Sequence, residues 1–160
     1  MIRDARPGDA AACAAIYAPY VLGTTVSFEA EAPDAAEMSR RIAAAQRRHA
    51  WFVADRDGAV VGYAYGGEWR SRAAYARTCE VSVYVDRAAH GDGVGRALYA
   101  ALLDRMREVG MHAAVGGATM PNVASERLHA ALGFEVVGTF REVGHKHGEW
   151  RDVRWYQKVF

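Results

Sequence analysis

Cysteine is scarce in this sequence, with only Cys13 and Cys79 among 160 residues. One falls in a predicted helix and the other in a predicted strand, so they provide neither a disulfide framework nor metal-ligand spacing. The histidines at positions 49, 90, 112 and 129 also form no ligand-spaced cluster. We therefore expect two buried free thiols and no metal site.

Proline is scarce too, at four residues, and the 16 glycines gather into no linker or repeat. The length is within the usual range for one domain, and 51% hydrophobic residues can form an ordinary core. The sequence therefore predicts a single domain over residues 1–160.

No charge of one sign dominates, because 20 Lys+Arg stand against 19 Asp+Glu. This balance gives no electrostatic footprint for nucleic acid or an anionic membrane surface. The densest basic stretch, residues 40–49, follows an alanine-rich helical pattern that favours a solvated helix face. We expect neither nucleic acid nor a membrane as a partner.

Long apolar runs are also missing, both along the chain and after the polar start at residues 1–6. The sequence thus has no segment typical of a membrane span or of a secretory signal. We expect a soluble, cytoplasmic protein.

The pattern of apolar residues predicts a mixed α/β domain. Strands are expected at 2–6, 51–54, 60–65, 78–85, 111–118, 134–140 and 150–160. Helices are expected at 10–20, 33–48, from about 93 to 110, and 122–133. Asp9, Pro33 and Asn122 stand at the helix starts. The element order is β-α-α-β-β-β-α-β-α-β-β.

The strand at 78–85 alternates between two kinds of side chain. One face carries Cys79, Val81, Val83 and Val85, and the other carries Thr78, Glu80, Ser82 and Tyr84. Glu80 therefore points away from the most apolar face. Alternation alone leaves open whether this carboxylate is catalytic or an ordinary exposed strand residue.

A glycine-bearing loop, His90-Gly91-Asp92-Gly93-Val94-Gly95-Arg96, follows this strand and opens the next helix. Glycines let backbone amides approach an anion, and a helix N-terminus adds partial positive charge. A dinucleotide-binding G-x-G-x-x-G motif does not fit, because its third glycine is replaced by arginine or leucine. Spacing alone favours a flexible connection over a phosphate site.

The loop resembles the acetyl-CoA diphosphate loop of the GNAT superfamily of N-acetyltransferases, whose motif is Gln/Arg-x-x-Gly-x-Gly/Ala. Gly93 and Gly95 match, and His90 replaces the first residue. Residues 122–134 are similar to a second motif, Asn-x-x-Ser-x-x-Leu-(Tyr/His)-x-x-Leu-Gly-Phe. The resemblance implies a GNAT fold and acetyl-CoA as co-substrate. The implied cofactor-binding residues are Val83, Tyr84, Val85, His90, Gly91, Asp92, Gly93, Val94, Gly95, Arg96, Asn122, Ser125 and His129.

Four further stretches, 25–28, 69–75, 80–85 and 146–153, resemble the phosphinothricin acetyltransferase, or L-amino acid N-acyltransferase, branch. The similarity extends over nearly the whole chain. It implies a homodimer and a part in antibiotic or herbicide resistance. It also implies a small amino-acid-like acceptor, such as phosphinothricin, methionine sulfone or methionine sulfoximine.

The resemblance also implies roles for single residues. Glu80 would be the general base, and His147 would assist near the acceptor amine. An amine must lose a proton before it attacks a thioester, so a base is required. Backbone amides around residues 81–83, where the family's strand is bulged, would hold the oxyanion. The acceptor pocket would include Phe28, Arg72 and Tyr75.

Three points stay open at this stage. The acid that protonates the leaving thiolate could be Tyr99, His129 or solvent. The acceptor could instead be a protein or peptide N-terminus, which needs an open groove. Alternatively, the chain could be a non-catalytic acyl-CoA-binding sensor, although Glu80 argues against that function.

Overall fold

The computed structural model describes residues 1–160 as seven strands and four helices in the predicted order. The strands are β1 (Ile2–Asp4), β2 (Trp51–Arg56), β3 (Ala59–Glu68), β4 (Thr78–Val85), β5 (Ala113–Thr119), β6 (Glu135–Lys146) and β7 (Glu149–Val159). The helices are α1 (Ala10–Gly23), α2 (Ala35–Gln46), α3 (Val94–Glu108) and α4 (Val123–Ala131). None of these helices combines the length and apolar character that a membrane span requires. The mixed α/β prediction is confirmed.

One sheet runs through the molecule in the order β1-β2-β3-β4-β5-β7-β6. All neighbouring strands are antiparallel except β4 and β5. β4 and β5 pair over only a short stretch, which begins with Thr78 opposite Ala113 and ends with Glu80 opposite Val115. Both strands continue beyond that point, to Val85 and to residue 119. The sheet is therefore open between the second halves of β4 and β5.

The two faces of the sheet carry separate apolar cores. On one face α3 packs against the buried side chains of β4, and on the other α1 and α2 cover β2 and β3. The largest fully buried side chains of the two cores are Leu98, Tyr99, Leu102, Met106, Trp51, Tyr63 and Met38. Both cysteines are buried and free, as predicted.

Helix caps fix where the helices begin. Pro33 was predicted inside the second helix, but α2 begins after Asp34, whose carboxylate accepts a hydrogen bond from the Glu37 amide at 2.8 Å. An aspartate that satisfies an orphan amide in this way ends the preceding loop. At α4 the prediction is confirmed, since the Asn122 side chain accepts from the Ser125 amide at 3.0 Å.

Asp9 is the N-cap residue of α1, as predicted, but its side chain makes no capping hydrogen bond. Its carboxylate instead accepts hydrogen bonds from Arg3 Nη1 and from the Arg6 amide, each at 2.7 Å. Arg3 also contacts Asp55 of β2. The hydrogen bond from Arg3 lowers the pKa of Asp9. This cluster fastens the N-terminal strand to its neighbour.

We expect Asp9→Asn to lower the free energy of unfolding by about 2 kcal/mol at neutral pH, because hydrogen bonds to a charged, buried group are lost. A carboxylate whose folded pKa is depressed stabilises the fold above its unfolded pKa, and this contribution disappears as pH falls through the folded pKa. The difference in free energy of unfolding between the wild type and the variant should therefore become smaller at acidic pH. Urea denaturation at neutral pH and near pH ~3 measures it. A difference that does not change with pH would contradict the assignment.

The C-terminal hairpin is longer than predicted. Residues 141–149, which had not been assigned to a strand, complete β6, β7 and their turn. A register shift between Phe140 and Gly144 interrupts the alternation, so this strand has no clean two-residue pattern. The turn itself consists of His147 and Gly148, with φ of +52° and +75°.

Candidate active site

A cavity of about 600 Å³ opens between the separated ends of β4 and β5. Its walls come from β4, the glycine-bearing loop, the start of α3, the end of β5 and α4. Among the predicted cofactor-binding residues, it is lined by Val83, Tyr84, Val85, His90, Gly91, Gly93, Val94, Gly95, Asn122, Ser125 and His129. Two motifs about thirty residues apart in the sequence thus meet at one cavity.

Two predicted cofactor-binding residues, Asp92 and Arg96, do not line this cavity. The Asp92 carboxylate pairs with Arg56 Nη1 at 3.0 Å, and Arg96 is exposed on the first turn of α3. The side chains of these two residues therefore do not form part of the cavity wall.

The loop is shaped to bind an anion with its backbone. Gly91 and Gly93 have φ of +88° and +77°, a region in which residues with side chains are strained. Gly93 is the N-cap of α3 and has no side chain to satisfy the first helical amides. These amides and the positive end of the helix dipole therefore remain for a ligand.

His90 is held by Tyr20. Its Nε2 lies 2.9 Å from Tyr20 Oη and 3.2 Å from the carbonyl oxygen of Val85, to which Tyr20 itself donates at 2.5 Å. Because the tyrosine hydrogen is used on Val85, the Nε2 of His90 carries a hydrogen and donates. The histidine that replaces the motif's Gln or Arg is thus anchored to the end of β4.

The main chain of β4 offers hydrogen-bond donors to the gap. The carbonyl oxygen of Val85 accepts a hydrogen bond from the Tyr20 hydroxyl at 2.5 Å, and that of Val81 lies 3.2 Å from the Tyr99 hydroxyl. Since alternate residues of a strand direct their main-chain groups to the same side, the amides of Val83 and Val85 face the gap beyond the last β4–β5 pair, Glu80 and Val115. The expected bulge is absent, because residues 79–85 pair with 62–68 in unbroken register. The amides are free because β5 diverges.

Glu80 stands where β4 and β5 part, paired with Gly67 on one side and Val115 on the other. It directly precedes the part of β4 that lines the cavity. Burial raises the pKa of this half-buried carboxyl, which makes the carboxylate a stronger base. As predicted, Glu80 lies on the face opposite Cys79 and Val81, which belong to the core under α3.

Tyr99 of α3 and His129 of α4 form a buried pair in the cavity wall, with Oη and Nε2 3.2 Å apart. The Nδ1 of His129 lies 2.8 Å from the carbonyl oxygen of Ser125. A carbonyl only accepts, so Nδ1 carries the hydrogen, and Nε2 and the Val81 carbonyl oxygen are two acceptors, each at 3.2 Å, for the one hydrogen of the Tyr99 hydroxyl. Burial lowers the pKa of His129, which favours this neutral form.

Gly116 of β5 leaves room for this pair. A Cβ at this position would lie 2.8 Å from His129 Nε2 and 3.1 Å from Tyr99 Oη. Any larger residue would push the two side chains apart. The glycine, the tyrosine and the histidine are therefore one packed unit, although they come from three elements.

The predicted acceptor-side residues lie outside the cavity lining. Phe28 is in the loop after α1, and Arg72 and Tyr75 are in the exposed segment between β3 and β4. His147 is exposed at the β6–β7 turn and is not among the residues that line the cavity. Its catalytic role stays a prediction.

Some cavity residues were missed by sequence reasoning, among them Tyr20, Val26, Gly117 and Thr119. Tyr20 follows an apolar helical pattern that looks like ordinary core. The end of β5 could have been found, because ligands in open α/β sheets bind at the carboxyl ends of parallel strands.

Comparison with known proteins agrees with this geometry. A family model described as an acetyltransferase (GNAT) domain matches residues 2–155. The chain is 40% identical over 159 residues to the phosphinothricin N-acetyltransferase of Streptomyces viridochromogenes. The aligned region covers 99% of this chain and 87% of that protein. It is also 38% identical over 167 residues to the L-methionine sulfoximine/L-methionine sulfone acetyltransferase of Salmonella typhimurium. This aligned region covers 98% of this chain and 92% of that protein.

Among solved structures, the phosphinothricin acetyltransferase of Sinorhizobium meliloti in complex with acetyl-CoA superposes with a TM-score of 0.96 at 34% identity. The superposition covers 100% of this chain and 88% of that one. The fold, the cavity between β4 and β5 and the full-length similarity all indicate the same family. The chain therefore belongs to the GNAT family of N-acetyltransferases, with the phosphinothricin N-acetyltransferases among its relatives.

Proposed function

We propose that the protein transfers the acetyl group of acetyl-CoA to the amino group of a small amino-acid-like acceptor. One observation carries this proposal: the stretch of β4 that lines the cavity begins directly after Glu80 and ends at the glycine-bearing loop. A diphosphate at the loop would direct the thioester arm toward Glu80. The relatives named above act on acceptors of this class.

The residues present fit acetyl-CoA. The amides at 91–95 suit its diphosphate, because two glycines there have positive φ and an added Cβ would meet nothing within 4 Å. The free amides of β4 suit the amide groups of the pantetheine arm, in the manner of an added strand. Bound acetyl-CoA supplies the thioester carbonyl that the acceptor amine attacks.

In the proposed direct transfer, the Glu80 carboxylate accepts the proton that the acceptor amine must lose. The amine then attacks the acetyl carbonyl, whose oxygen is stabilised by the main-chain amide of Val83. The departing sulfur receives a proton from the Tyr99 hydroxyl, which His129 keeps in place. Neither buried cysteine takes part, since burial raises the pKa of each thiol to about 12.

We expect Tyr99→Phe to lower kcat by about tenfold and to leave the KM for acetyl-CoA nearly unchanged, because only the donated proton is lost. Steady-state kinetics with thiol detection measures both constants. Tyr156→Phe is the control, since it removes another buried hydroxyl from the same core, one that has no hydrogen-bond partner. Equal losses in the two variants would contradict the role of Tyr99.

A panel of amines with acetyl-CoA, followed by thiol release, tests the substrate class. Phosphinothricin, methionine sulfone, methionine sulfoximine and free amino acids should be acetylated, and peptides should not. Turnover of peptides alone would replace this proposal by peptide N-terminal acetylation. Acetyl-CoA binding without turnover of any amine would indicate a sensor. Growth of a sensitive host on phosphinothricin tests the expected resistance, and cell fractionation tests the cytoplasmic location.

We also expect a homodimer formed through β6. This strand lies at the edge of the sheet, and nearly all of its twelve residues are exposed. Unpaired main-chain groups at such an edge bind a further strand. Large apolar side chains on this hairpin are exposed as well: Val136, Val137, Phe140, Val143 and Trp150. Sedimentation velocity at micromolar concentration tests the dimer, and a monomer would contradict it.

A further inference from the structure

The β6–β7 hairpin is tied to the loop that follows α1 by Lys146. Its Nζ donates to the carbonyl oxygens of Val21 and Ser27, each at 2.6 Å. Val21 belongs to the last turn of α1, where a cation is favourable, and Ser27 belongs to the loop. One ammonium therefore connects the helix end, the loop and the hairpin.

A second contact joins the same two parts. Gly144 is the one buried residue of β6, and the Phe28 ring covers it. A Cβ at position 144 would overlap Cε2 and Cζ of that ring. Glycine is thus needed here because the ring lies directly on the backbone. Any side chain at this position would displace Phe28.

The loop around Phe28 is held on both sides. Ser27 Oγ lies 2.7 Å from the buried Tyr17 hydroxyl of α1, and the Glu29 carboxylate pairs with Arg41 of α2 at 2.8 Å. Phe28 stands between these anchors and remains 42% exposed. The direction of its ring is therefore set by its neighbours and by the hairpin beneath it.

The loop lies on the Glu80 side of the sheet. Ser27 Oγ bonds the Tyr17 hydroxyl, and the Tyr17 ring lies 4.7 Å from the ring of Tyr84, whose side chain shares the β4 face with Glu80. Val26, two residues before Phe28, lines the acetyl-CoA cavity. The loop therefore lies beside both the cavity and the face of β4 that carries Glu80.

We infer that Gly144 and Lys146 are specificity-determining positions, which set the width of the acceptor pocket by holding the Phe28 ring back against the hairpin. With glycine at 144 the pocket admits an amino acid that has a long polar side chain. A side chain at 144 would push the ring toward the acceptor and favour short amino acids. This inference rests on the proposed function.

The test is Gly144→Ala, assayed with methionine sulfone and with alanine as acceptors. The ratio of kcat/KM for methionine sulfone to that for alanine should fall by about tenfold or more, since a methyl group is worth that much in a pocket. The KM for acetyl-CoA should stay within about twofold. Gly138→Ala is the matched control, on the same strand but with nothing within 4 Å of an added Cβ.

A double variant separates this role from simple destabilisation. Phe28→Ala removes the ring that the new methyl group would strike, so Gly144→Ala should have little further effect on acceptor preference in that background. The double variant also preserves the test if Gly144→Ala alone does not fold. An equal shift in acceptor preference with and without the ring would overturn the inference.

Lys146 is tested in the same assay. Lys146→Met should raise the KM for methionine sulfone, because the loop loses its hydrogen bond to the hairpin. Lys146→Arg keeps a hydrogen-bond donor and should raise this KM less. Unchanged acceptor preference in Gly144→Ala and Lys146→Met, with an active wild type, would overturn this inference alone. A wild type that acetylates no small amine would instead overturn the proposed function.

Discussion

Replacing Glu80 by glutamine is expected to lower kcat by about a hundredfold or more and to leave the affinity for acetyl-CoA nearly intact. Glutamine keeps the size of the side chain but cannot take a proton from the acceptor amine. Glu80 is suited to that task because burial raises its pKa and so strengthens it as a base. Isothermal titration with CoA and thiol-release kinetics measure the two quantities separately.

The pH dependence gives a second readout for Glu80. The base acts as a carboxylate, so wild-type kcat/KM should fall as pH drops through the raised pKa of this group. The Glu80→Gln variant should lose that limb of the profile. Glu68→Gln is the control, since Glu68 is an exposed carboxylate at the end of β3. A variant at position 80 with an unaltered rate would remove the general-base assignment.

Replacing Gly93 by valine is expected to weaken CoA binding by about ten- to a hundredfold, because a side chain at positive φ costs about 1–2 kcal/mol and more when branched. Gly93 has φ of +77° and begins α3. Valine would turn the loop away from this conformation and move the amides that face the diphosphate. Titration with CoA measures the loss.

Gly58→Val is the matched control for this change. Gly58 has φ of +85° in the β2–β3 turn, and an added Cβ there also meets nothing within 4 Å. Both variants should lose similar thermal stability, but only Gly93→Val should lose CoA affinity. Equal affinities in the two variants would show that the loop does not bind the coenzyme.

Local patterns were enough to predict the order of the elements. The alternation in β4 gave both its bounds and the face of Glu80, because side chains on a strand alternate regardless of what surrounds it. The Asn122 cap was predictable for a similar reason, since it bonds an amide only three residues away. The glycine loop and the Asn122 motif were recognised from their residues, and the structure brings both to one cavity.

Features that depend on contacts between distant residues could not be predicted. The gap between β4 and β5 arises where two strands separated by a helix diverge. The residue pattern of neither strand indicates where their pairing ends. The Asp9 carboxylate makes no capping bond because it pairs with Arg3, and Arg3 is placed by its contact with Asp55 of β2, fifty-two positions away. The anchoring of His90 by Tyr20 joins residues seventy positions apart. The Phe28 ring over Gly144 is of the same kind.

The most direct test is a crystal structure of the Glu80→Gln protein with acetyl-CoA. The diphosphate should be bound by the amides of residues 91–95, and the acetyl group should lie in the opening between β4 and β5, beside the side chain at position 80. A diphosphate bound elsewhere, or an acetyl group on the opposite face of the sheet from residue 80, would contradict the proposed site.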